Sequence, residues 1–256
     1  MDEEIEMDPA AVAAKWEEIA SGIDKMAERI ADPNDFPVSS GSSLSGDDKA
    51  STPYQLSHAV RMCLVAGVDH LQAVKALLLD LHLLHTAAPF SLVRGSLENL
   101  STAFWILHPK NRNERVERTL RWHAKNFNEQ HMALEPLGVS DAAKRDAKLA
   151  KLYAVATSRD IPTKAIRAGY HSSAAVKYAE EHSERSKPLL PWQACSGYAH
   201  GRPWAYLGMS EQEHFETTDP GVLNVKLTSD PSRLLYPTLE AFRQLIDVVE
   251  LLQQRS

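Results

Sequence analysis

The chain has 256 residues, with 28 basic and 34 acidic side chains, a net charge of −6 with histidine neutral, and 43% hydrophobic residues. That is enough chain for a sizeable core in one large or two small domains, and it excludes a collagen, a disulfide scaffold and a wholly basic nucleic-acid binder. Two cysteines, Cys63 and Cys195, cannot build a disulfide framework, and the acidic opening Met1 to Asp8 lacks the basic and apolar regions of a signal peptide, so a cytoplasmic protein is expected.

Ala and Leu together number 62, against 33 for Val, Ile and Thr, a bias toward helix. After the acidic opening, Pro9 begins an amphipathic helix in which Val12, Trp16, Ile19, Ile23, Met26 and Ile30 recur at three and four. Residues 32–51, rich in Pro, Ser, Gly and Asp, read as a flexible linker, so residues 1–31 are expected to form a loosely tethered acidic arm that offers a surface to a protein partner.

The bundle domain is expected from residue 52 to 256. Thr52 reads as a helix cap before Pro53, and the apolar pattern then runs on to Ala87. Val60, Gly67, Val74 and Leu81 interleave with Leu64, Leu71, Leu78 and His85, the seam of a long helix packed against near-antiparallel or parallel partners. Its richest apolar stretch, Ala76 to Leu84, is broken by Asp80 and His82, and no membrane span is expected. Pro89 opens a second core helix striped by Phe90, Val93, Leu97, Leu100, Phe104 and Leu107. A third runs from Asn111 to Leu137 and stops at Gly138, and Asp141 caps a fourth over 142–157. Two short pieces flank Gly169, a short apolar helix covers 189–199, and 209–230 reads as loop with one β-like fragment at 222–227. Asp230 and Pro231 start a last amphipathic helix. The fold class is all-α, a multi-helix bundle with long antiparallel core helices; the seam and surplus apolar helices suggest a homodimer.

Three clusters carry chemistry. Arg94 and Glu98 lie four apart on one face of the second core helix, as a surface pair or as a charge pair lining a pocket. Trp192 to Gly208 is the densest run of capable side chains: Ser196 and His200 share a face, with Arg202, Trp204 and other aromatics around them. Histidine can move a proton, arginine can hold a phosphate, and aromatics can stack on bases; equally, His200 and Gly201 can simply end a helix. The run from Lys110 to Lys125 has six basic and two acidic residues; Arg115, Arg118 and Arg121 belong to a solvated face or to a patch that reads an RNA backbone. Within it Arg118 and His123 match an Arg-x(4–6)-His signature, but five residues of helix put them roughly 140° apart. His70, His82 and His85 lack the Glu-x-x-His spacing of a di-iron or zincin site, so neither metal nor cofactor is expected.

The segments HAVRMCLVAGVDHL, APFSLVRGSLENLSTAFWIL and ACSGYAHGRPWA resemble a family of helical proteins of actinobacteria and their phages, over about residues 52–210. Its Arg-x-x-x-Glu corresponds to Arg94 and Glu98, and its Ser-x-x-x-His-Gly to Ser196, His200 and Gly201. The family is in turn distantly similar to HEPN-like and abortive-infection helical proteins, some of which cleave RNA. The resemblance implies either a non-catalytic interaction module, in a setting of phage–host conflict, or a metal-independent ribonuclease. In the second case Arg94, Glu98, Ser196 and His200 converge in a pocket with Arg202 and Trp204 at its rim. No arginine precedes His200 at the spacing of an active HEPN motif.

Overall fold

A computed structural model describes residues 8–256 of the chain. Eleven α-helices and one small hairpin follow in order among these residues: α1 (Pro9–Ala31), α2 (Ser43–Ser51), α3 (Leu56–Lys75), α4 (Ala88–Leu107), α5 (Arg112–Leu134), α6 (Ala142–Thr157), α7 (Thr163–Ala168), α8 (Ser172–His182), α9 (Leu189–Ala199), α10 (Pro203–Met209), β1 (Glu211–Glu216), β2 (Leu223–Thr228) and α11 (Pro231–Arg255). The fold is an all-α multi-helix bundle.

α4 is the centre because it is apolar on nearly every side: Phe90, Val93, Leu97, Leu100, Ile106 and Leu107 are all fully buried. It packs against α3, α8, α9 and α11. At the α3 crossing a Cβ on Gly67 would fall 2.7 Å from Leu100, and the Ser96 hydroxyl donates to the Gly67 carbonyl at 2.9 Å, so a residue without a side chain sets the approach. A second, smaller core joins α5, α6 and α7 through Val116, Leu120, Leu152 and Ile166.

The expected loose arm is packed. Val12, Trp16, Ile19 and Ile23 of α1 are buried in the main core, and the Trp16 indole donates to the Pro231 carbonyl at 3.0 Å. The acidic residues 1–7, on which the expected partner surface also rests, lie outside the described residues. The expected linker is ordered too. Ser42 caps α2, Leu44 is fully buried, and Arg29 grips Asp35 at 2.8 Å while its guanidinium lies over Phe36. Asp47 of α2 is fully buried and binds Arg115 of α5 through two oxygens, each at 2.7 Å, with Arg112 at 2.9 Å. Composition gives no sign of this, because the arginines that hold Asp47 lie more than sixty residues away.

The first seam helix is shorter than its pattern. It begins at Leu56 with Gln55, not Thr52, at the cap position; Thr52 and Pro53 sit in the turn before it. It closes through a π-helical turn at Ala76–Asp80 and ends where His82 takes φ 52. Leu81, 60% exposed, therefore leaves the seam, as does His85. The stretch Leu56–Asp80 is long and apolar enough to cross a membrane by length and composition, with a mean hydropathy of 1.5 in its best window; here Leu56, Val60, Leu64, Leu71 and Val74 are fully buried in the bundle core. The helices opened by Pro89, Asp141 and Asp230, and the short apolar helix over 189–199, fall within a residue or two of their expected bounds. The β-like fragment is real, and its partner β1, read as loop, pairs antiparallel with it from Glu211↔Thr228 to Glu216↔Leu223.

Candidate functional site

α9 is built so that one flank is left for chemistry. Pro191, Ala194, Cys195 and Tyr198, spaced at three and four, are buried. The Tyr198 ring stacks on Phe90 of α4 at 4.0 Å, and its hydroxyl pairs with Ser210 at 3.0 Å. Trp192, Ser196 and His200 fall on the other flank. The helix ends in a Schellman turn: Gly201, at φ 62, donates to the Tyr198 carbonyl, and the Arg202 N–H donates back to Gly197 at 2.8 Å. Pro203 then opens α10, which lies directly on α9 because position 197 is glycine; a Cβ there would sit 2.5 Å from the Ala205 Cβ and 2.9 Å from Trp204. The His200 capping role is therefore present, and the same turn holds His200 and Arg202 at a fixed separation along the chain.

Trp192, Gln193, Ser196, Gly197, His200, Arg202 and Trp204 line one open groove of about 410 Å³. Trp204 is 56% exposed. The side chains of His200 and Arg202 have no hydrogen-bonding or ionic partner among the described residues, and no hydrogen bond joins the Ser196 hydroxyl to the His200 ring.

Arg94 and Glu98 stand beside this groove without lining it. Their pair closes at 2.8 Å between Nη2 and Oε1, with both side chains about a quarter exposed, and Oε1 also accepts the Trp192 indole N–H at 2.8 Å. Arg94 Nε is buried without a hydrogen-bond partner among the described residues. The expected four-residue pocket is thus divided: Ser196 and His200 share a groove, and Trp192 links that groove to Arg94 and Glu98. Spacing places Trp192 only among the aromatics around Ser196 and His200; its link to Glu98 joins two helices and leaves no local signal.

No family model, curated protein or solved structure matches the chain.

The basic run of α5 differs from its expected role. Arg115 is 2% exposed, and besides Asp47 it donates to the carbonyls of Pro109 and Lys110 and to Ser43. Arg118 donates to the Trp105 carbonyl at 2.6 Å and to Glu114 at 2.5 Å while lying over the Tyr178 ring. Arg121 holds the Gly169 carbonyl at 2.7 Å and lies over Trp105. Guanidinium groups with their donors spent inside the fold are not offered to a phosphate backbone. Rather than forming an RNA-reading face, these arginines join α5 to its neighbours.

His123 does not meet Arg118. It sits among Tyr54, Trp122 and Phe127, and burial pushes its pKa down to about 4. Burial pushes the Cys63 thiol up to about 12 and the Cys195 thiol higher still, so neither is a ready thiolate. His70 leans on Gly95 with its Nδ1 2.6 Å from the Ala66 carbonyl. Among the described residues no group of three or more His, Cys, Asp or Glu side chains is placed to hold a metal ion.

Proposed function

We propose that the chain is a non-catalytic, regulatory interaction module of the cytoplasm that holds a short single-stranded RNA segment in the α9–α10 groove. One observation carries this reading: an exposed Trp204 stands in the same groove as Arg202 and His200, whose side chains have no hydrogen-bonding or ionic partner among the described residues. An exposed indole offers a stacking face to any base, and an uncommitted guanidinium offers a fork to a phosphate. Ser196 and Gln193 add hydroxyl and amide groups for base edges or ribose. The resemblance to helical proteins of actinobacteria and their phages adds the setting, phage–host conflict.

A second reading, a HEPN-like ribonuclease or abortive-infection toxin, is favoured by Ser196 and His200 lying in one groove that Trp192 ties to Arg94 and Glu98. In that version His200 takes the 2′-hydroxyl proton and Arg94 or Arg202 stabilises the phosphorane charge, with no metal required. Arg202 is the better placed of the two arginines, since Arg94 is already paired. Total RNA incubated with the wild type and with His200→Ala separates the readings. The module predicts intact RNA and identical patterns from both proteins. Cleavage by the wild type that His200→Ala abolishes contradicts the module and establishes the nuclease.

A further inference from the structure

The hairpin β1–β2 is an unusual appendage for a helical bundle. Eleven of its twelve strand residues are exposed and Leu227 is half-buried, so its faces are not packed on the helices. Two strands by themselves are marginal in water; a third strand or a covering helix is normally needed. Among the described residues no further strand pairs with it, leaving one open edge on each strand.

The two edges differ in charge. β1 carries Glu211, Glu213 and Glu216, and acidic side chains on an edge strand repel a second copy of the same strand. β2 reads Leu-Asn-Val-Lys-Leu-Thr. Its one charge, Lys226, is paired within the hairpin to Glu213 at 3.0 Å. Leu223, Val225 and Leu227 alternate onto one face, and Leu223 and Val225 are 54% and 36% exposed. One edge is therefore guarded and the other is left apolar and neutral.

We propose that the β2 edge is a self-association surface, on which the β2 strand of a second copy of this chain pairs antiparallel to make a four-stranded sheet in the order β1-β2-β2-β1. Symmetry selects the register. In a two-fold antiparallel pair with Val225 on the axis, Val225 faces its own copy and each Leu223 faces a Leu227. All six aliphatic side chains then join on one face, while Asn224 faces Lys226 on the other. A one-residue slip instead sets apolar side chains against polar ones on both faces. The seam that suggested a dimer from sequence is not the surface involved, since Leu64, Leu71 and Leu78 are consumed inside the fold. An interface of two six-residue strands is small, so the dimer is weak and depends on concentration.

The test is Val225→Cys in the full chain. Cys63 and Cys195 are buried and do not compete. Residues facing each other across an antiparallel pair have Cα atoms about 4.5–5.5 Å apart, within disulfide reach. Under mild oxidation with oxidised glutathione, Val225→Cys is expected to run as a covalent dimer on a non-reducing gel. Phe215→Cys, at a more exposed position but on the outer strand, is expected to remain monomeric. In light scattering across rising concentration, the wild type shows a growing dimer fraction. Val225→Asp, which sets two carboxylates face to face, raises the dissociation constant at least tenfold with its helical circular dichroism unchanged. A wild type that stays monomeric throughout, cross-linking equal in the two cysteine variants, or a dimer indifferent to Val225→Asp each overturns the proposal.

Discussion

Asp47→Ala is expected to destabilise the protein by about 3–5 kcal/mol, the cost of leaving a buried charge without its partner. The carboxylate and the Arg115 guanidinium are both out of solvent, and the remaining Arg115 donors are satisfied by the carbonyls of Pro109 and Lys110 and by Ser43. Removing the carboxylate strands Nε in a region no water reaches. Arg112, whose side chain is 45% exposed, contributes much less, and Arg112→Ala is expected to change stability by no more than about 1 kcal/mol. Urea unfolding of Asp47→Ala, Arg115→Met and the double variant measures the pair. The double variant is expected to recover most of the loss, because no uncompensated charge remains. A loss under about 1 kcal/mol for Asp47→Ala would show that α2 is peripheral, as its composition suggests.

Phe90→Ala is expected to cost about 3–5 kcal/mol as well, through lost burial and the cavity left behind. Phe90 is fully buried and lies nearly parallel to the Tyr198 ring, 5° between planes, so with the Trp192–Glu98 bond it is one of the contacts by which α4 carries α9. The groove depends on that contact, because Trp192, Ser196 and His200 are placed by the opposite flank of the same helix. Phe90→Leu keeps much of the volume and is expected to lose less. The check is again urea unfolding, with an unchanged denaturant slope marking a pure stability effect. Equal stability for Phe90→Ala and the wild type would contradict the packing described.

Where local chemistry marks a helix, the sequence was readable. Asp230 with Pro231, Asp141 and Gly138 each set a boundary through a cap the backbone uses directly, and α4 announces itself by an apolar face too wide for a surface helix. What failed was long-range. Ser43–Ser51 has the composition of a linker, and only a pair of arginines on α5 makes Asp47 worth burying. The same pairing misled the reading of α5 itself: Arg115 and Arg118 look like a basic face until their acceptors on other elements are placed beside them. The seam of α3 ran too far because periodicity continues through Leu81 and His85 after the chain has already turned at His82.

For the site, spacing located Ser196, His200, Arg202 and Trp204 in one groove, since one helix and its Schellman turn hold the first three and the close α9–α10 packing brings the fourth. Spacing did not reveal that Trp192 is the junction between that groove and the Arg94–Glu98 pair, because the contact joins residues on separate helices.

The most direct measurement of the groove's role is fluorescence anisotropy of a short labelled single-stranded RNA titrated with the wild type and with Trp204→Ala. Stacking on an exposed aromatic is worth about 1–3 kcal/mol per base. Trp204 is exposed and off the main core, so its removal is expected to leave the helical fold intact and to weaken binding by roughly tenfold or more. Binding by the wild type that weakens with added salt and falls by that factor in Trp204→Ala is the predicted result. A wild type that leaves the anisotropy unchanged, or a variant that binds as tightly, contradicts the account.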